Sequence, residues 1–382
     1  MGSLSWLRKE TPPGRGPVWF AAGELMVHSD HRQAAERVLG QMGHTDDVEE
    51  TEFMPGLTRY RADTLDVPTA ARSLRRGAAA QGDNRVVASP NHVFLSTTIH
   101  ASGTPFEHGG PFGPPVPASH PRTRPPTTSI GQSVGVAVID TGVWRDSPLP
   151  SNAYTATTED YEDDTDVDDD GVIDGDVGHA NFIIGVIAAQ TRKAGIRAIR
   201  VLDTFGICTE AQLIVALSRV QEEKIVNLSL GGFTLDDQPP LPLAHALSTL
   251  LKGKDRLVVA AAGNDGQRGR PFWPAAFAAS AEPWAGQVVA VAAHDGKAVC
   301  DWSNAGDWVS VAAPGADITS TFVRHERFPS GWALWSGTSF ATPHVVASLV
   351  EQAALAGSLK TALTTVITAA RAGAIGGYPG LR

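Results

Sequence analysis

The chain has 382 residues and a formal net charge of −10, with 42% hydrophobic and 19% charged residues. This is enough for one large domain and a small one, in a composition ordinary for a globular protein. Eleven acidic residues and no Lys or Arg lie between Glu159 and Asp176, so the charge belongs to one loop and the remainder is close to neutral. A basic face for nucleic acid is therefore not expected. No apolar run approaches the roughly 18 residues that span a membrane.

The start of the chain lacks the apolar run of a secretory signal. This predicts a cytoplasmic protein, or a secreted one if a signal has been removed. Cys208 and Cys300 are the only cysteines, which argues against a disulfide framework and leaves open whether these two pair. The oligomeric state is not indicated by the sequence.

The first hundred residues predict a small α+β domain. Residues 1–17 are rich in Gly, Pro and charge and are expected to form a flexible arm. Residues 18–98 predict strands at 24–28, 48–53, 57–62 and 85–88, with helices at 32–42 and 67–78. This β-α-β-β-α-β order is the split βαβ, or ferredoxin-like, arrangement. Residues 99–130 are rich in proline and predict a linker.

From residue 131 to 382 the sequence predicts a larger α/β domain. Short apolar runs at 134–139, 196–202, 225–229, 257–262 and 288–293 alternate with helical segments such as 211–220 and 241–251. Continuous apolar strands separated by helices indicate a mostly parallel sheet covered by helices on both faces. Ligands bind beyond the carboxyl ends of such strands. The residues that follow each strand are therefore the candidates for a site.

The most informative stretch is Ser-Gly-Thr-Ser-Phe-Ala-Thr-Pro-His at 336–344, which leads into an apolar helical segment. Ser339 lies where a loop becomes a helix. There, free N–H groups and the positive end of the helix dipole favour negative charge that develops beside the hydroxyl. Because similar helix starts occur in proteins that catalyse nothing, the interpretation depends on finding a base, an acid and an amide donor elsewhere.

Polar residues that could supply these functions follow the predicted strands and open a helix. Asp140 ends the first apolar run, His179 opens a helical segment, and Asn264 lies in a glycine-bracketed turn. Taken singly, Asp140 could be a cap, His179 a cap or surface residue, and Asn264 a turn former. Together with the open glycine edge at 229–232 they form a set that fits nucleophilic catalysis.

With these motifs the chain resembles subtilisin-type serine proteases. The resemblance rests on Val-Ile-Asp-Thr-Gly at 138–142, Gly-His at 178–179, Ser-Leu-Gly-Gly at 229–232, Ala-Gly-Asn at 262–264, Ala-Pro-Gly at 313–315 and the serine motif at 336–344. The order Asp, His, Ser is that of subtilisin. It implies a serine endopeptidase acting on peptide or protein substrates, with no cofactor required for catalysis.

The resemblance also implies a role for each matching residue. Ser339 would attack the peptide carbonyl, His179 would take and return its proton, and Asp140 would hold the imidazole. The Asn264 amide would bind the oxyanion. Substrate would be bound by the edge and the pocket, comprising Ser229, Leu230, Gly231, Gly232, Ala262, Gly263 and Phe272. Phe272, where the family pocket floor is usually small, predicts a shallow pocket for small or medium side chains.

One motif departs from the family pattern. The family usually has His-Gly-Thr where this chain has His179-Ala180-Asn181, which leaves the effect of Asn181 on the imidazole open.

The acidic loop carries oxygen ligands at alternate positions that could hold Ca²⁺, namely Asp166, Asp168, Asp170 and Asp174. A true EF-hand is not expected, since Val177 stands where its bidentate Glu would be, and the alternative is a solvated acidic loop.

The first domain resembles, more loosely, the propeptides that help subtilisin-type domains fold and then block their active sites. The sequence therefore predicts a latent zymogen in which the N-terminal domain acts as an intramolecular inhibitor. The rival interpretation is an unrelated small interaction domain. For the whole chain, the alternatives are a weak or inactive peptide-binding relative, and an enzyme held inactive until a partner binds.

Overall fold

The computed structural model describes residues 6–96, 115–120, 133–150, 152–167, 169 and 171–381. The strands are β1 Leu7–Glu10, β2 Val18–His28, β3 Glu49–Met54, β4 Leu57–Arg61, β5 Ala88–Ser96, β6 Val116–Pro117, β7 Val134–Asp140, β8 Tyr154–Thr155, β9 Ala194–Arg200, β10 Ile207–Thr209, β11 Ile225–Leu228, β12 Leu230–Gly231, β13 Leu257–Ala261, β14 Val288–His294, β15 Val311–Pro314, β16 Ile318–Thr321 and β17 Trp332–Trp335. The α-helices are α1 Arg32–Gln41, α2 Val67–Ala80, α3 His179–Gln190, α4 Glu210–Ser218, α5 Leu241–Leu251, α6 Thr338–Ala356 and α7 Leu359–Arg371.

The described chain forms two compact units. The first comprises residues 1–94, 209–215 and 232–249, and the second comprises residues 95–208, 216–231 and 250–382. Each unit has its own apolar core. Cys208 and Cys300 are free and buried. None of the described helices has the length and apolar character needed to cross a membrane.

The first unit contains an antiparallel sheet, helices α1 and α2, and most of α4 and α5. The strand order is β5-β2-β4-β3, with β1 paired to β2. Helix α2 begins after Asp66, whose carboxylate accepts a hydrogen bond from the N–H of Thr69 at 3.2 Å, which caps the helix. The buried apolar residues of this unit include Leu25, Leu39 and Leu74.

Two predictions for this region differ from the structure. Leu7–Glu10 lies in the predicted flexible arm, yet it forms a strand along β2, because paired main-chain groups compensate for a polar sequence. The last strand was expected at 85–88 but runs from Ala88 to Ser96 and contains Pro90. The proline is tolerated because β2 has an irregular register, a bulge, between Phe20 and Leu25 beside it.

The second unit is built on a parallel sheet with the strand order β15-β14-β13-β11-β7-β9-β8. The three strands β13, β11 and β7 are neighbours, with Leu228 paired to both Ile139 and Ala260. Their carboxyl ends therefore meet at one edge of the sheet. Asp140, Ser229 and Asn264 come at or just after these ends. The predicted mostly parallel α/β sheet is confirmed.

Helices α3 and α6 pack against each other in the second unit, and α6 also packs against β11, β13, β14 and β15. Buried apolar side chains line both helices, since their sequences are hydrophobic on nearly every face. The short strand β6, from the predicted linker, pairs with β17. The structure describes residues 115–120 of that linker, and residues 99–114 and 121–130 lie outside the described part of the chain.

Gly178 precedes α3 and is required there for two reasons. Its φ is +85°, a region that only glycine adopts readily. A Cβ on Gly178 would also lie 2.7 Å from the ring of Phe322. Gly171 has a similar φ of +80°, but no atom of the residues that the structure describes lies within 4 Å of the place of its Cβ.

We predict that Gly178→Ala destabilises the protein more than Gly171→Ala. Backbone strain alone costs about 1–2 kcal/mol per residue, and the contact with the Phe322 ring adds about 1–3 kcal/mol for overpacking. Thermal and denaturant unfolding of the two variants, each in the Ser339→Ala background, measures both losses. Equal losses would show that the approach of Phe322 does not constrain this position.

Candidate active site

Asp140 and His179 form a buried pair at the carboxyl edge of the sheet. Asp140 is the last residue of β7 and His179 the first of α3, and Nδ1 of His179 lies 2.6 Å from Oδ1 of Asp140. The N–H of Thr141 donates to the same oxygen at 2.8 Å. Neither side chain of the pair has exposed surface. The pair therefore has one fixed geometry, with the imidazole N–H directed to a carboxylate.

The electrostatics of this pair favour a protonated imidazole. Burial alone would lower the pKa of His179. The charge of Asp140, its hydrogen bond and the charge of Asp176 outweigh burial, so the pKa of His179 is raised above its ordinary value. An imidazole with a raised pKa is a stronger base, and its cation is stabilised where it stands.

An aromatic wall surrounds the imidazole and was not predicted from the sequence. The ring centroid of His179 lies 5.6 Å from that of Trp335, edge-on, and 5.3 Å from that of Phe340. Phe182 packs against both aromatic residues. These side chains exclude water from the ring. Nε2 of His179 is buried and has no hydrogen-bond partner in the described part of the chain.

Ser339 is the second residue of α6 and has no exposed surface. Its hydroxyl donates to the carbonyl of Ser229 at 3.4 Å. The serine motif contains Pro343, which lies inside α6 and removes the helical N–H donor for the Ser339 carbonyl. The hydroxyl of Ser229 donates to that carbonyl instead, at 2.9 Å. The two serines therefore fix the start of α6 against the edge of the sheet.

The amide of Asn264 has a defined orientation. Its Oδ1 accepts hydrogen bonds from the N–H and the hydroxyl of Thr338, at 2.8 and 2.9 Å. Its Nδ2 is buried without a hydrogen-bond partner among the described residues. Thr338 also accepts from the N–H of Gly263 at 3.1 Å. Thr338 was not singled out from the sequence, although it lies inside the serine motif and holds the donor face of the amide free.

Six of the seven residues predicted to bind substrate lie in the second unit. Ser229, Leu230, Gly231, Ala262, Gly263 and Phe272 all belong to the second unit, while Gly232 belongs to the first. A Cβ on Gly231 would overlap the ring of Phe272, and one on Gly263 would lie 2.9 Å from it. The aromatic ring therefore fills the space between these two glycines.

Asn181, where the chain departs from the family pattern, joins the loop that follows Asp140 to helix α3. Its Oδ1 accepts from the N–H of Trp144, and its Nδ2 donates to the carbonyl of Trp144, both at 2.9 Å. The hydroxyl of Thr141 accepts from the N–H of Ala180 at 3.1 Å. These contacts join the loop that follows Asp140 to the first turn of the helix that carries His179. The amide thus supports the imidazole–carboxylate pair.

The acidic loop uses its carboxylates for its own backbone. Asp166 accepts from the N–H of Gly171 at 2.8 Å, and Asp174 accepts from the N–H of Val167 at 3.1 Å. Asp168 and Asp170, the other two predicted calcium ligands, lie outside the described residues. The described residues contain no group of three or more acidic, His or Cys side chains able to hold a metal ion. Calcium binding therefore stays a prediction from the sequence.

We predict that Asn181→Ala destabilises the protein by about 1–3 kcal/mol, because the N–H and carbonyl of Trp144, in a half-buried place, would lose these partners. Asn181→Asp is the matched variant, since it keeps an acceptor for the N–H of Trp144 but loses the donor to its carbonyl. Thermal unfolding in the Ser339→Ala background measures the losses. An unchanged melting temperature in Asn181→Ala would contradict this role.

The comparisons with known proteins agree with this geometry. Residues 131–377 match the model of the Subtilase family, Peptidase_S8. The chain is 33% identical over 233 residues to the minor extracellular protease Epr of Bacillus subtilis (strain 168), covering 57% of this chain and 31% of that protein. It is 31% identical over 278 residues to a thermophilic serine proteinase of Bacillus sp. (strain AK1), covering 68% of this chain and 60% of that protein.

A third relative is matched over a larger share of its own length. The chain is 32% identical over 230 residues to thermitase of Thermoactinomyces vulgaris, covering 56% of this chain and 73% of thermitase. The chain spans less than two thirds of the first two relatives but more than two thirds of thermitase. The family model covers more than half of this chain, from 131 to 377. This chain belongs to the Subtilase family.

Proposed function

We propose that this protein is a serine endopeptidase that hydrolyses peptide bonds through an acyl-enzyme formed on Ser339. The observation that carries the proposal is the buried pair in which Asp140 accepts the Nδ1 proton of His179 at 2.6 Å. That bond leaves the lone pair of the imidazole on Nε2, the nitrogen that has no partner among the described residues. An imidazole in this tautomer is ready to take a proton from a hydroxyl.

The proposed reaction uses side chains and one backbone N–H of this chain, together with a water molecule. His179 takes the proton of Ser339 as the hydroxyl oxygen attacks the peptide carbonyl, and then gives the proton to the leaving amine. Water, deprotonated by the same imidazole, then releases the acid and restores the serine. Asp140 stabilises the imidazolium in both halves of the reaction. Burial in the aromatic wall strengthens this attraction, since little water is present to screen it.

Asn264 is proposed to stabilise the negative charge on the carbonyl oxygen. Because Thr338 occupies Oδ1 of the amide, the N–H₂ group is the part left to donate. The backbone N–H of Ser339, at the start of α6, is proposed as the second donor. A donor held in place before the reaction costs no reorganisation when the charge forms.

Phe272 is proposed to set the size of the first specificity pocket. Its ring lies against Gly231 and Gly263, the backbone positions that would form two walls of that pocket. A ring in this place leaves little depth for the side chain that precedes the cut. We therefore expect small or medium side chains to be preferred there.

We also propose that the protein is made in a latent form. The proposed organisation is a propeptide-like domain at 18–98, a linker at 99–130 and a catalytic domain from 131. Leu95 and Ser96 pair antiparallel with Leu230 and Gly231, the edge proposed for the substrate backbone. His179 and Ser339 have no exposed surface. No hydrogen bond joins the Ser339 hydroxyl to Nε2 of His179 in the described part of the chain. A site occupied by its own chain and not assembled for reaction fits a zymogen.

We predict that a fluorophosphonate transfers its phosphonyl group to the wild type and to Ser348→Ala, but not to Ser339→Ala. The serine oxygen displaces fluoride, so the expected mass gain is the mass of the reagent less that of HF. Ser348 lies on the same helix and donates to the carbonyl of His344, so it is a matched serine without a catalytic role. Intact-mass spectrometry reads the label. Loss of the N-terminal region in wild type and Ser348→Ala, but not in Ser339→Ala, would support self-processing.

In the processed enzyme, Asn264→Ala should lower kcat by roughly 100- to 1000-fold with little change in KM, as is known for subtilisin itself. Absence of label and of cleavage in the wild type would contradict self-processing. It would favour either the peptide-binding relative, which contradicts the proposed activity, or an enzyme that needs a releasing partner, which does not.

We predict that Phe272→Ala shifts the preference of the first pocket towards aromatic residues. Removing the ring opens a hydrophobic space, and extra buried carbon atoms change kcat/KM by about tenfold or more in such pockets. Phe272→Leu should give an intermediate shift. Peptide libraries varied at the residue before the cut measure the ratio within each enzyme. A wild type that already prefers aromatic residues would rule out the shallow pocket.

A further inference from the structure

Ser96 has an extended backbone held on two sides within the second unit. It pairs with Leu230 of β12, in the same antiparallel ladder as Leu95 and Gly231. On its other side, the N–H of Ser96 donates to the carbonyl of Gly206 at 2.7 Å. When the backbone of a strand is hydrogen-bonded on both sides, specificity comes from the pockets that its side chains enter. The side chain of Ser96 lies in such a pocket.

The side chain of Ser96 contacts one particular carboxylate. Its hydroxyl donates to Oδ2 of Asp176 at 2.5 Å, with both residues buried. Asp176 comes three residues before His179, and its carbonyl accepts from the N–H of His179 at 3.0 Å. The backbone that carries this carboxylate is therefore fixed relative to the backbone that carries the imidazole. It is part of the site and not of a separate surface.

The space around this hydroxyl is small. A Cβ on Gly206 would overlap Oδ2 of Asp176 and lie 2.6 Å from the hydroxyl of Ser96. Asp203, nearby, has its pKa raised to about 6, first by burial and further by the charge of Asp176. Because Asp176 and Asp203 are both acids, an acidic side chain at the position of Ser96 is disfavoured. A long side chain is disfavoured there because the backbone at Gly206 leaves little space.

We propose that Asp176 is a specificity-determining residue that selects a small hydroxyl side chain, Ser or Thr, at the substrate position that Ser96 occupies in this structure. The inference rests on the proposed function, because it takes the substrate to bind along the same edge. A hydroxyl gives the buried carboxylate a charge-assisted hydrogen bond, which is stronger than one between neutral groups. An apolar side chain in its place would leave the charge buried without that donor.

The test is cleavage of peptide libraries varied one position at a time on the acyl side of the cut. Processed wild type should show one position at which Ser and Thr give a kcat/KM about tenfold or more above Ala, as expected for a hydrogen bond to a charged group. Asp176→Ala should cleave the Ser and Ala peptides at nearly equal rates. Asp176→Asn should keep part of the preference, since its amide oxygen still accepts.

Asp160→Asn is the matched control for the loss of a buried charge. Asp160 lies in the same acidic stretch, but its Oδ1 accepts from the N–H of Arg200 at 2.9 Å, so its removal should leave the ratio of Ser to Ala unchanged. A wild type without the preference, or Asp176→Ala that keeps it, would overturn the inference. A wild type that cleaves no peptide at all would instead contradict the proposed function.

A second measurement does not depend on activity. In the full chain carrying Ser339→Ala, hydrogen exchange of the peptide that contains Ser96 reports how firmly this segment is held. Asp176→Ala and Ser96→Ala should each speed that exchange, while Ser96→Thr should keep the protection. The same exchange rate in all these variants would show that the hydrogen bond from Ser96 to the carboxylate of Asp176 does not hold this segment.

Discussion

A proline inside α6 sets the main constraint on this site. Pro343 has no N–H to give to the carbonyl of Ser339, and a buried carbonyl without a donor is costly. Ser229 supplies the missing donor from the end of β11. The helix start is thereby joined to the sheet edge at Ser339, the proposed nucleophile. Without this bond the buried carbonyl of Ser339 would lose that donor.

A second constraint is the exclusion of water from the Asp140–His179 pair. The two side chains are held between strand ends and an aromatic wall, so little water reaches them to screen their charges. Oδ1 of Asp140 has two partners of good geometry, whereas Oδ2 of Asp140 and Nε2 of His179 have none among the described residues, so the pair depends on support from the residues around it. The amide of Asn181 and the hydroxyl of Thr141 supply this support indirectly, by fixing the loop and the helix on which the pair stands.

The sequence predicted the sheet and the places where polar residues follow its strands, since both are local patterns. It predicted less well where tertiary contacts decide. The partner of Asn181 is the backbone of Trp144, which no spacing reveals. The strand that contains Pro90 was misplaced because proline usually marks a turn, and only a bulge in the neighbouring strand accommodates it. The contact of Asp176 with Ser96 joins residues far apart in the chain.

The pairing of Leu95 and Ser96 with β12 has a consequence for how the protein responds to concentration. While the chain is continuous, this segment is tethered to the edge it occupies, and its effective concentration there is on the order of millimolar. The occupied state then does not depend on how much protein is present. Once the chain is cut beyond Ser96, the same contact becomes an encounter between two molecules. Dilution alone would then open the edge, and crowding at the place of synthesis would keep it closed.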